Sequence, residues 1–476
     1  MRHVLDDQQG AVVASHGPAD AAGTPKLRMV ERNAEPHHDE RVGEGRESNA
    51  RTYARWLRQT IVRGEGVRVF DAEGRPYYDC LAAAGTLVLG HNHPEVTAAV
   101  RDAIDAGVAW QTLDLATPTK EAFTDALFAT LPQAFARRAR IHFCSPSGSD
   151  AVEAALKLAK TATGRSGLLA FAGAYHGMTQ GALALMGNVA AKQVPGIGGP
   201  AQFLPYPYAY RCPFGRGGEE SVSLSVAYLR TLLDDVESGV LPAALIVELV
   251  EGEGGVIPAP DNWVREIRDL TRMHALPLIV DEVQTGWGRT GRLYAFEHSG
   301  IEPDVLVLSK AIGGGLPLAV IVYDESLDQW QPGAHAGTFR GNQLAMIAGH
   351  ATLKVLLEQG IPAHAARMGQ RMRAHLASIA AEFDCIGEVR GRGLMLGVEF
   401  VDPDGKPDAL GHPPPDGVRA RQGQAECLAR GLIIEMGGRH RAVARFLSPL
   451  IVTAADVDEI CAIFRRACKA AGDRKH

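Results

Sequence analysis

A chain of 476 residues can bury a sizeable core and carries, at about 150 residues per domain, material for about three domains. Hydrophobic residues make up 46% and charged residues 22%, the balance of an ordinary globular protein. The formal charge of −6 argues against nucleic acid, which calls for a basic face, and no apolar run of about 18 residues is present to span a membrane.

The first residues, MRHVLDDQQG, lack the apolar stretch of a secretory leader. Cysteines at 80, 144, 212, 385, 427, 461 and 468 form no CxxC pair and no metal-type cluster. They read as free thiols in a reducing compartment, which points to the cytoplasm. Residues 1–48 are rich in Asp, Glu, His, Gln and Gly, a composition that predicts a loose tail, with a partner-binding arm as the sharper alternative. From Tyr53 onward the chain is patterned. Val67–Phe70 and Tyr77–Asp79, separated by Asp71–Arg75, predict two strands joined by a turn. Between about 140 and 325 strand and helix patterns alternate, which predicts a mostly parallel sheet covered by helices. Ala244–Val247, Leu276–Val280 and Val305–Leu308 are apolar enough for strands buried on both faces. After about 346 come a helix (Gln343–Leu357), a Gly-rich bend and strand (Gly391–Phe400), and a final strand and helix, with Asp402–Gly417 as a Pro/Gly-rich surface loop.

Three segments carry chemistry. Ser147-Gly148-Ser149-Asp150 follows the short strand Ile141–Phe143 and opens a helix, with Asp150 and Glu153 at capping-box spacing. A small-residue turn at a helix start leaves N–H groups free beside the positive end of the dipole and suits a phosphate, although an ordinary capped helix has the same appearance. Leu276–Val280 ends in Asp281 and Glu282, at the strand terminus where open α/β sheets bind ligands. An acid there can pair with a cationic ring nitrogen and raise its pKa by about 1–3 units; a metal ligand or a helix cap are the alternatives. Val305–Leu308 delivers Ser309-Lys310 into Gly313-Gly314-Gly315. A lysine so placed is partly desolvated, which favours the neutral amine that attacks an aldehyde.

Further markers lie in the same order: Gly90-His91-Asn92-His93-Pro94, Tyr175-His176-Gly177, Glu248 followed by Gly252-Glu253-Gly254-Gly255, Asp281-Glu282-Val283-Gln284-Thr285-Gly286, and Gly337-Thr338-Phe339. With these, residues of about 50 to 465 resemble the class III (ω-) aminotransferases of pyridoxal-phosphate fold type I. The resemblance implies an α/β, aspartate-aminotransferase-like fold. In it, 49–110 complete a small domain, 111–345 form a large cofactor-binding domain with a mostly parallel sheet, and 346–476 form a smaller α+β domain. It implies pyridoxal 5′-phosphate as cofactor, Lys310 as the lysine that holds it and shuttles the proton, and Asp281 as the partner of its ring nitrogen. Gln284 matches the side chain near the phenolic oxygen, Tyr175 the aromatic stacked on the ring with His176 beside it, and Ser147, Gly148 and Ser149 the phosphate turn. Thr338 matches a hydroxyl contributed to the phosphate by the neighbouring subunit, which implies at least a homodimer with shared active sites and leaves tetramers open. Arg445 matches the arginine that grips an α-carboxylate, and Glu253 the acid that masks it when the donor reacts through a terminal amine.

One departure bears on substrate. Several relatives carry an arginine three residues after the stacked aromatic, where this chain has Met178. Arg439, Arg441 and Tyr53 are then candidates for holding the other end of the substrate. Within the family, Asp79–Pro94, Gly173–Leu183 and Arg439–Leu447 are most similar to the diaminobutyrate–2-oxoglutarate aminotransferases, in which Met178 also fits. That likeness implies transfer of an amino group from L-glutamate to L-aspartate 4-semialdehyde, by ping-pong exchange through the pyridoxamine form. Other ω-amino acids (GABA, ornithine or acetylornithine) differ by a methylene or one amino group, worth only about 1–3 kcal/mol in a pocket, and stay as alternatives. An aminomutase or racemase needs no 2-oxo acid acceptor. A non-catalytic cofactor-binding protein would be expected to lack one of Lys310, Asp281 and Gln284.

Overall fold

The computed structural model describes residues 47, 48, 50–187, 201–235 and 241–472; the tail expectation for 1–48 falls almost wholly outside them. The chain up to Trp56 forms a unit of its own, whose described part holds one short 3-10 turn, Tyr53–Arg55. Everything below concerns the second unit, Leu57–His476.

It opens with a meander, β1 (Ile61–Glu65), β2 (Arg68–Asp71) and β3 (Pro76–Asp79), the expected pair plus one strand. The main sheet uses β4 (Ala139–Phe143), β5 (Gly167–Phe171), β6 (Ala201–Leu204) and β7 (Pro242–Val247). A small hairpin, β8 (Val250–Glu251) and β9 (Ile257–Pro258), intervenes before the remaining strands, β10 (Leu278–Asp281), β11 (Val305–Leu308) and β12 (Val320–Asp324). The order is β4-β12-β11-β10-β7-β5-β6, with every pairing parallel except the two made by β12. Every residue of β5, β7, β10 and β11 is buried, because helices cover both faces. Successive side chains point to opposite layers: Val305 and Val307 join one buried cluster, Leu306 and Leu308 the other.

This topology brings five strand ends to one edge. Since β12 is antiparallel to both β4 and β11, β4 runs the same way as β5, β7, β10 and β11. At or shortly after these strand ends lie Ser147, His176, Glu248, Asp281 and Lys310.

Beyond the long helix Gln343–Glu358, which matches expectation, a second helix Ile361–Ala380 leads to a separate antiparallel sheet. Where the sequence predicts a bend and one strand over Gly391–Phe400, the structure has a hairpin, β13 (Ile386–Arg392) and β14 (Met395–Phe400). The charged first half of that hairpin hides its strand character. The loop after β14 ends at Asp416, whose carboxylate caps helix Gly417–Ala429 by accepting from Val418 and Arg419 N–H. Then come β15 (Leu432–Ile433), β16 (Glu435–Gly437) and β17 (Val443–Phe446), and a last helix, Ala454–Gly472. The order is β13-β14-β17-β16, while β15 joins β3 in parallel.

All seven cysteines are unbridged and buried. Burial pushes up the thiols of Cys80, Cys144, Cys385, Cys427 and Cys468, and Cys461 to about 12. No helix among the described residues is long and apolar enough to cross a membrane.

Candidate active site

Lys310 stands where β11 ends, at the head of a 3-10 turn through Gly313. Its φ of +48° is a left-handed conformation that a side-chain-bearing residue adopts only where the surroundings over-determine it. Burial pulls its ammonium below the usual lysine range, against the opposing pull of Asp281 and Glu248.

Asp281, at the end of β10, accepts from His176 Nδ1 at 2.7 Å through Oδ2 and from Val283 N–H at 3.0 Å through Oδ1. Both side chains of the His176–Asp281 pair are buried. Burial disfavours the imidazolium, but the hydrogen bond and charge of Asp281 outweigh it and raise His176 above its ordinary value. Motif matching placed each of these residues in the site but did not foresee that they bond to each other. Glu248, treated in the sequence only as a marker, ties two segments together: it accepts from Tyr175 N–H at 2.8 Å and Gly252 N–H at 3.0 Å. Burial raises its carboxyl to about 7.

Helix Gly148–Thr163 starts at Ser147 with no side-chain cap, so its first N–H groups point out of the helix unclaimed by one. The expected capping box is not formed. Asp150 instead accepts from Ser145 N–H at 2.8 Å and from His335 Nε2 at 3.1 Å. Glu153 faces another helix start and accepts from Thr179 Oγ1 and the N–H groups of Gly181 and Ala182. The spacing was right for a cap, but the side chain serves a neighbouring segment. Ser149 Oγ accepts from Met178 N–H at 3.1 Å, and Gly177 (φ +125°) packs so closely that a Cβ there would lie 2.1 Å from that oxygen.

Gln284 donates from Nε2 to Ala84 O at 3.0 Å, which fixes a turn in which Ala82, Ala83 and Ala84 all have positive φ (46°, 51° and 58°). Asp79 supports the start of that turn by accepting from Leu81 and Ala82 N–H. Arg289, fully buried, reaches the carbonyls of Gly85, Leu394 and Ser448, and burial lowers its guanidinium to about 9. Thr338 is exposed on a loop hitched to helix Gly148–Thr163 by the His335–Asp150 contact, beside the 55% exposed Phe339. Tyr53 belongs to the first unit, and the site is built from the second.

Arg445 lies in β17, 1% exposed, with its stem across Gly437, where a Cβ would sit 2.5 Å from Nε. Its Nη2 contacts Glu253 Oε2 at 2.5 Å and Glu435 Oε2 at 2.8 Å. The Glu253 side chain is 37% exposed and that of Glu435 10%. Glu435, opposite Arg445 in the β16–β17 register, was missed in the sequence; an acid inside the apolar run Leu432–Met436 was the available signal. The electrostatic surroundings of Tyr175 include Glu253, Glu248, Glu435 and Arg445, so the Arg445 cluster and the aromatic share one site. Arg439 and Arg441 form an exposed turn before β17, and Met178 is 55% exposed. Met178 meets the site through its backbone, its N–H donating to Ser149 Oγ at 3.1 Å.

The arrangement fits a phosphorylated aldehyde cofactor of the pyridoxal type. It offers a desolvated amine, a buried carboxylate relayed to an imidazole, an uncapped helix start for a phosphate and an aromatic face. Residues 50–468 match the family Aminotransferase class-III. The chain is 56% identical over 423 residues to the diaminobutyrate–2-oxoglutarate aminotransferase of Rhizobium meliloti, covering 88% of this chain and 89% of that one. It is 46% identical over 427 residues to the enzyme of the same name from Haemophilus influenzae, with 88% and 92% covered. Among solved structures it is similar to an amine transaminase from an uncultivated Pseudomonas species in its PLP-bound form, at TM-score 0.78 and 28% identity over 93% of this chain and 99% of that one. The ornithine aminotransferase of Toxoplasma gondii follows at TM-score 0.72 and 27% identity, covering 87% and 90%. From its sheet order, its site and these likenesses, the chain belongs to the class III aminotransferases.

Proposed function

We propose that the chain moves an amino group from L-glutamate to L-aspartate 4-semialdehyde, giving L-2,4-diaminobutyrate and 2-oxoglutarate. The observation that carries this reading is the Arg445–Glu253 contact within the electrostatic reach of Lys310 and Tyr175. A site that must take glutamate by its α-carboxylate and a second substrate by its terminal carbon needs an arginine that can be closed. The names of the relatives from Rhizobium meliloti and Haemophilus influenzae supply the substrate pair.

Pyridoxal 5′-phosphate, when bound, supplies the electron sink for bonds broken at the amine-bearing carbon. Lys310 Nζ, whose charged form burial disfavours, would hold the cofactor through its aldehyde and is the group placed to move a proton beside it. The Asp281 carboxylate would hold a proton on the ring nitrogen, and His176 keeps that carboxylate oriented. The N–H groups of Gly148 and Ser149 and the Ser149 hydroxyl would hold its phosphate, with Gln284 the side chain for its phenolic oxygen and Tyr175 the aromatic for its ring. Arg445 takes the α-carboxylate of glutamate after Glu253 swings aside. Glu253 returns when the substrate presents only a terminal carbon.

Thr338 would reach the phosphate held by a neighbouring subunit, which makes a homodimer the proposed working unit; the cytoplasm is its proposed place. Residues 49–110 and 346–476 make the small domain around the 111–345 core. Arg439 and Arg441, in the turn before β17, are the candidates for the head group of the semialdehyde.

The test is a set of half-reactions on the cofactor-loaded protein. L-2,4-diaminobutyrate, GABA, ornithine, acetylornithine and L-glutamate are added singly without acceptor, and the visible absorbance of the cofactor is followed. Fast loss with diaminobutyrate and glutamate, and slow loss with the others, is expected. Preference for ornithine or GABA would keep the aminotransferase and refute the substrate.

A further inference from the structure

Resting on that reading of Arg445, the geometry points to Glu435 as the residue that primes the Glu253 latch for release. The shortest contact of each carboxylate is to the same guanidinium nitrogen, Nη2, at 2.5 Å for Glu253 and 2.8 Å for Glu435. Two anions at one nitrogen repel each other, so neither holds Arg445 as firmly as it would alone. They are not equivalent. Glu435 sits in β16, paired in register with Arg445, and its side chain is 10% exposed. Glu253 sits in the turn after β8, anchored through its backbone oxygen to Gly438 N–H at 2.9 Å, with a side chain 37% exposed. Glu253 therefore leaves by rotating its side chain alone, and Glu435 stays.

The consequence is a substrate-class effect. In the closed state the pair Glu253 and Glu435 bears the full repulsion of sharing Nη2. An incoming carboxylate can approach the guanidinium fork along a different edge, and it then feels Glu435 less than Glu253 did. Exchange of Glu253 for substrate carboxylate relieves more repulsion than it creates. Glu435 thus favours opening for an α-carboxylate substrate, and it keeps Arg445 aimed and charge-compensated while Glu253 is away. Gly437 belongs to the same device, since any side chain there would push Arg445 off the strand that carries Glu435.

A sign reversal separates this role from simple support. Glutarate, a dicarboxylate with neither amine nor carbonyl, is titrated into the holoenzyme by calorimetry. Glu435→Gln is expected to weaken glutarate about three- to ten-fold, the size of coupling between charged neighbours that share a partner. In a Glu253→Gln background, where there is no latch to tighten, the same substitution is expected to strengthen glutarate by a similar factor. The KM for glutamate should follow the first shift. Weakening in both backgrounds would mean that Glu435 only props Arg445 in place, and overturns the proposal. If Glu253→Gln and Arg445→Lys both leave glutarate unchanged, Arg445 is not the carboxylate site and the functional reading falls first. Should Glu435→Gln not fold, Glu435→Asp withdraws the charge by one methylene; it is expected to show the same reversal at a smaller factor, and its absence overturns the proposal equally.

Discussion

Replacing Asp281 with Asn tests the centre of the mechanism with little change of shape. In the wild type, Oδ2 takes a 2.7 Å bond from His176 Nδ1 and Oδ1 a 3.0 Å bond from Val283 N–H, in a pair whose side chains are 0% and 4% exposed. Asn can keep the Val283 bond and turn its amide N–H towards a neutral His176. The loss is then one charge-assisted hydrogen bond exchanged for a neutral one, a stability cost of about 1–2 kcal/mol. The cost to the reaction is larger. If Asp281 raises the ring nitrogen of the cofactor by about 1–3 pKa units, its removal is worth about 1.4–4 kcal/mol, a rate loss of about 10- to 1,000-fold. The assay is a single-turnover half-reaction with L-glutamate by stopped-flow absorbance, with denaturant midpoints recorded alongside. His176 gives an independent readout, because without Asp281 only the charge of Glu248 still opposes burial, and its pKa is expected to fall. A variant that binds cofactor and turns over within about three-fold of the wild type would refute the assignment of Asp281, since an offset that small corresponds to less than one pKa unit.

Lys310→Ala should remove the visible absorbance of the loaded protein while leaving the fold intact; an unchanged band would refute the lysine's role. Gly177→Ala forces a Cβ to 2.1 Å from Ser149 Oγ at a φ of +125°, and is expected to weaken cofactor phosphate binding at least about ten-fold in a titration of the cofactor-free protein. Gly164→Ala is its control. That residue is also left-handed (φ +67°) but a Cβ there meets nothing, so the variant should lose only about 1 kcal/mol of stability and no cofactor affinity. Glu248, with a carboxyl raised from 4.5 to about 7, is protonated in the folded state where the unfolded chain is ionised. Its contribution to stability is full below the unfolded value and is lost as pH rises through about 7, at up to about 1.4 kcal/mol per unit. Glu248→Gln should flatten the decline in stability between about pH 4.5 and 7 in denaturant melts; an unchanged slope would show that another group titrates there.

The large sheet was legible because β7, β10 and β11 are buried on both faces and therefore contain nothing but apolar residues up to the catalytic position. Lys310 and Asp281 were legible for the same reason, each being an ionisable group at the end of such a run. The hairpin over Ile386–Phe400 was half hidden, since Glu388, Arg390 and Arg392 break the alternation of its first strand. They do so because Arg390 and Glu399 pair across the sheet at 2.9 Å, which no local pattern announces. Asp150 and Glu153 show the limit of spacing rules, because both satisfy segments distant in sequence. Glu435 stood out only as an acid in an apolar run, because its partner Arg445 lies ten residues on, past the 3-10 turn Arg439–Arg441, and the register of β16 on β17 joins them. The left-handed run Ala82–Ala84 had no signal at all, as alanine is the residue from which positive φ is least expected after the β-branched ones.

The seven buried thiols have a use unrelated to catalysis. Each is shielded by the fold, and burial holds Cys80, Cys144, Cys385, Cys427, Cys461 and Cys468 further from the reactive thiolate. A thiol reagent can label such a residue only during the moments when its surroundings open. The protein thus carries its own set of opening sensors, distributed from β3 and the end of β4 to the last helix, and the order in which they are labelled in native buffer ranks the regions by local stability. Cys144 at the end of β4 and Cys461 in the final helix bracket that scale, so cofactor that tightens the main sheet would slow labelling at the first while leaving the second nearly unchanged.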